Sequence, residues 1–156
     1  MGALDAISFE ARRVLLEVLM GVAWADRVLV EEERHAAQAA ATGLGLVLPP
    51  EQDLTSADRR PIPPEAIDPS RLGTRDREII YLCAAWMALA DEVEDPAETR
   101  ILERLRTRFG LGEERSAWLR RRAEALRAEQ APDASWWRAF DRLVVGAARA
   151  LEAGPA

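Results

Sequence analysis

Residues 16–46 and 81–111 can be laid over one another without a gap, and this internal repeat constrains the fold more than anything else in the chain. At an offset of 65 positions, Ala25-Asp26 falls on Ala90-Asp91, Val28 on Val93, Glu33 on Glu98, and Gly45-Leu46 on Gly110-Leu111. Each copy reads as an apolar helix, an acidic turn, an amphipathic helix and a glycine stop. That is an αα-hairpin used twice. Packing the two around their apolar helices predicts a pseudo-two-fold bundle.

The flanking residues extend the pattern. Val14, Leu15, Val18, Leu19 and Val22 recur at helical spacing and predict a first helix over about 8–26. Glu17 is the lone charge between Val14 and Ala25; it reads as an edge residue paired with Arg13, the alternative being a carboxylate of raised pKa. An alanine-rich second helix is expected over 31–42, ended by Gly43 and Gly45. Residues 47–73 hold six prolines and predict an ordered surface connection with one short turn near 64–67. A flexible linker between two domains is the other reading. Neither half, however, can bury its apolar helix alone. A third helix is expected from an N-cap at Thr74 to about Asp91, a fourth over 96–109 stopping at Gly110, and a fifth over 113–129. A last one is expected from Asp133 or Ser135 to Leu151. No stretch alternates as a strand would. The expected fold is all-α: one compact domain over 1–156, made of two pseudo-repeated hairpins plus C-terminal helices.

Composition narrows the function classes. With 49% hydrophobic and 31% charged residues the chain is of globular type. The longest apolar run, Ile79 to Ala90, has twelve residues; a membrane span needs about 20. That run is expected to be a buried core helix, and the opening residues carry no signal-peptide pattern. A formal net charge of −6 disfavours nucleic acid, whose phosphates call for cationic surfaces. The lone Cys83 is expected to be an inert core thiol and fits a reducing, cytoplasmic setting.

The acidic turns are the candidate site. Asp26, Glu33, Asp91 and Glu98 are hard oxygen ligands suited to calcium, magnesium or manganese. An EF-hand is excluded, because Val22 and Trp24, and Met87 and Leu89 in the second copy, stand where its first carboxylates belong. A second reading needs no metal. Asp95 caps a helix, Pro96 takes its first position, and Glu98 reaches back as in a capping box. Asp26 and Asp91 are less well explained, since helix C-termini disfavour negative charge. Each calls for a partner: a turn N–H, an arginine or a cation. If the apolar helices pack antiparallel, the turns lie about 25 Å apart at 1.5 Å per residue. If they pack parallel, the four carboxylates converge. Both arrangements stay open.

An apolar helix ending in Ala-Asp, a Glu seven residues after the Asp, and a closing Gly-Leu, found twice in register, resemble the tellurite-resistance TerB-like family. The N-terminal region of DjlA-type co-chaperones shares the pattern. The resemblance covers about Val14 to Leu126. It implies a compact all-α domain, a role in bacterial stress response, and association with metal ions and membrane-bound assemblies. It implies no established reaction. A co-chaperone J-domain is not present, because His35, the single histidine, is followed by Ala36 where a His-Pro-Asp motif needs proline.

Other residues carry weaker signals. His35 is expected to be solvated and, with no cysteine near it, makes no zinc site. One histidine and one buried cysteine form no nucleophile–base set, so the expectation is a non-enzyme. Metal-assisted hydrolysis in an acidic pocket is the enzymatic alternative. "SWWRAF" puts Trp136 toward the core and leaves Trp137 as a partner or dimer contact. The arginines Arg120 to Arg122 are a solvated face or a contact for an acidic partner.

Overall fold

The structure is a computed structural model that describes residues 8–23, 64–88, 96–129 and 140–152. Among these residues there are five α-helices and no strand: α1 (Phe9–Ala23), α2 (Thr74–Ala88), α3 (Pro96–Phe109), α4 (Glu113–Glu129) and α5 (Phe140–Glu152). The expected helix over 31–42 and the start of the last helix lie outside the described residues. No helix among the described residues is long and apolar enough to cross a membrane.

α2 is the centre. Every residue from Ile79 to Trp86 is buried, and α1, α3, α4 and α5 all pack against it. A helix covered on every side has no face that water would keep polar, which is why this one is apolar all round from Ile79 onward. α1 lays Ala11, Val14, Leu15 and Val18 into the core at i, i+3, i+4 and i+7. Ser8 caps it: the Ser8 hydroxyl accepts from the Ala11 N–H at 3.2 Å. Glu17 departs from its expected edge position, being buried at 4% exposure, while the Arg13 guanidinium donates to Glu10 at 2.6 Å. α1 touches α3 as well as α2, so its covered arc is wider than one apolar stripe.

α3 shows how a glycine stop works. It buries Leu102, Leu105 and Phe109 and ends at Gly110, whose φ of +68° is the left-handed conformation that glycine adopts at no steric cost. The Leu111 N–H then reaches the Arg106 carbonyl at 3.1 Å and the Gly110 N–H reaches that of Thr107 at 3.2 Å. These are the two bonds of a Schellman motif. α4 starts at once, with the Gly112 carbonyl accepting from the Ser116 N–H at 2.9 Å. α5 packs on α4 where Gly146 meets Leu126; a Cβ at Gly146 would lie 2.7 Å from Leu126 Cδ1.

Thr74 is the first residue of α2 and not its cap, because the Gly73 carbonyl accepts from the Arg77 N–H at 3.1 Å. The proline-rich connection ends in two 3-10 turns, Pro64–Ala66 and Pro69–Arg71, the first where a short turn was expected. This part is packed: Ile67 and Leu72 are buried in the core, and the Arg108 side chain donates to the Ile67 carbonyl at 2.7 Å. Arg77 donates to the carbonyls of Leu72 and Pro69, and Arg104 pairs with Glu65. Residues 47–63 lie outside the described residues.

Candidate functional site

The acidic turns follow α1 and α2. Asp26, Glu33 and Asp91 lie outside the described residues, as do His35 and Trp137. Glu98 is the third residue of α3, with its side chain outside the described set. Among the described residues no group of three or more His, Cys, Asp or Glu side chains could hold a metal ion.

The structure does describe the two helices that carry the turns, and their relative sense is the feature the sequence left open. At the start of α1, Ser8 Oγ donates to Asp76 Oδ2 at 2.9 Å, and the Ser8 N–H reaches Asp76 Oδ1 at 3.4 Å. Asp76 is the third residue of α2, so the N-termini of the two helices are tied together. From that junction α1 packs along α2. Helices joined N-terminus to N-terminus and packed lengthwise run in the same sense. Their C-terminal ends, Ala23 and Ala88, therefore face the same end of the pair.

The arginine-rich face of α4 is the second candidate, and here the side chains are on view. Arg115 reaches across to α2 and forms a two-pronged ion pair with Glu78, one of its contacts measuring 2.9 Å. Glu78 is buried, and its carboxylate holds the Arg115 pKa above the ordinary arginine value. The Arg115 guanidinium also lies 4.3 Å from the centroid of the Trp118 ring, with Arg122 at 5.3 Å. Arg120 Nε donates to the hydroxyl of the buried Tyr81 at 2.9 Å. Arg106 pairs with Glu103 and donates to the Leu111 carbonyl at 3.1 Å. The Arg106 hydrogen bond holds the Glu103 pKa below the ordinary glutamate value.

Between α3 and α4 lies an open groove of about 230 Å³, with Glu103 and Arg106 on one side and Glu113, Ser116, Ala117 and Arg120 on the other. Its two guanidinium groups, those of Arg106 and Arg120, are both paired with Glu103. Of the expected contact residues, Arg120 and Arg122 are engaged within the fold, and Arg121 is exposed. Cys83 is buried as expected, and burial pushes its thiol pKa up, which leaves it protonated and inert. The sequence reading missed Glu78 and Tyr81. The signal for Glu78 was present: it is the charge that abuts the apolar run beginning at Ile79. Nothing local pointed to the Tyr81 hydroxyl, whose partner lies 39 residues away. Compared with protein-family models, curated proteins and solved structures, the chain matches none.

Proposed function

We propose that the chain is a non-enzymatic TerB-like module of two pseudo-repeated αα-hairpins that binds a divalent cation where its acidic turns come together. Asp26, Glu33, Asp91 and Glu98 are its ligands, and calcium, magnesium or manganese its candidate ions. The observation that carries this reading is the same-sense pairing of α1 and α2 through Ser8 and Asp76. Asp26 and Asp91 each follow three positions beyond Ala23 and Ala88. Helices that run together deliver their C-terminal turns to one end, where the backbone already presents partial negative charge. Four carboxylates gathered there repel one another unless a cation offsets the charge. The repeat has support of its own, since the helix starts Phe9 and Thr74 stand at the same offset of 65 that superimposes the turns. In this reading the module serves a bacterial stress response in the cytoplasm, and Trp137 with exposed Arg121 contacts an acidic protein partner.

Thermal unfolding of chelator-treated protein, alone and with each ion, tests the cation. An ion at 100 times its dissociation constant adds about 2.7 kcal/mol. One converged site takes one ion per chain, and Asp26→Asn or Asp91→Asn alone abolishes the whole shift. Two ions per chain, each lost with one mutation, would mean separate turns. No shift with any ion overturns the cation reading and leaves a structural or protein-interaction domain. Local capping favours that second reading: the helix ends at Ser8 and Gly110 are each closed by the chain's own groups.

A further inference from the structure

We draw no further inference here: the strongest candidate, the open groove of about 230 Å³ between α3 and α4, has its two guanidinium groups, Arg106 and Arg120, already paired with Glu103, and nothing in the structure shows what would cover it.

Discussion

α2 and α4 pack against each other yet are built in opposite ways. The four charges of α2 all fall in its first five residues, and the rest is apolar. α4 has nine charged residues among 17 and buries only Ser116, Trp118, Leu119, Ala123 and Leu126. Hydrophobic attraction is strong but has no direction. An apolar cylinder like α2 could accept a partner at several registers. The α4 arginines supply the direction, because Arg115 stands opposite Glu78 and Arg120 opposite the Tyr81 hydroxyl. Burial thus drives the association of this helix pair, and a few polar bonds fix its alignment.

That division of labour can be broken from either side. The largest effect belongs to the core: Trp86→Ala in α2 should cost about 3–5 kcal/mol in a denaturant titration. A loss under 1 kcal/mol would mean that α2 is not the centre. Next comes the ion pair. Glu78→Gln should cost about 2 kcal/mol by removing the charge that faces Arg115, less than for a fully buried pair because Arg115 is 37% exposed. The double replacement Glu78→Leu/Arg115→Met should recover most of that stability while loosening the register, seen as broadened amide resonances in α4. Sharp resonances would show that apolar packing alone aligns the helices.

Arg120→Met comes third, at about 1–2 kcal/mol, because it leaves the buried Tyr81 hydroxyl without a donor. In a Tyr81→Phe background the same change should be nearly neutral. Equal costs in both backgrounds would remove the bond from the account. The surface pair of Arg104 and Glu65 should matter least, since both side chains are about half exposed, and its contribution should vanish in high salt. It is still legible by titration. Arg104 holds Glu65 below the ordinary glutamate pKa of 4.5. A depressed folded-state pKa gives stability that is complete above the ordinary value and is lost as pH falls through the folded one. Arg104→Ala should raise the Glu65 midpoint toward 4.5; an unmoved midpoint would dissolve the pair.

Much of the helical order was legible because its signals are local. Gly110 ended α3 where expected, and α4 ran from Glu113 to Glu129 as the spacing suggested. Thr74 was off by one residue because Gly73, which has no side chain to cap with, still offers its carbonyl. Glu17 was misread because one helix in isolation does not reveal how many neighbours cover it. The sense of α1 against α2 was not legible at all. It rests on Ser8 meeting Asp76, a contact across 68 positions that no periodicity encodes. The same holds for the candidate site: the repeat offered four carboxylates, and only tertiary packing bears on whether they meet.

The burial of Cys83 turns the protein's single thiol into a clock. A disulfide reagent consumes thiolate, so it can react only during excursions that bring the middle of α2 to solvent. With the four other described helices packed around α2, such an excursion requires most of them to part. The labelling rate in plain buffer would then report the spontaneous opening of the whole assembly, without heat or denaturant. A rate equal to that of global unfolding would make α2 the last element to be exposed. A faster one would reveal a partial opening and show which neighbouring helix detaches first once each is tagged in turn.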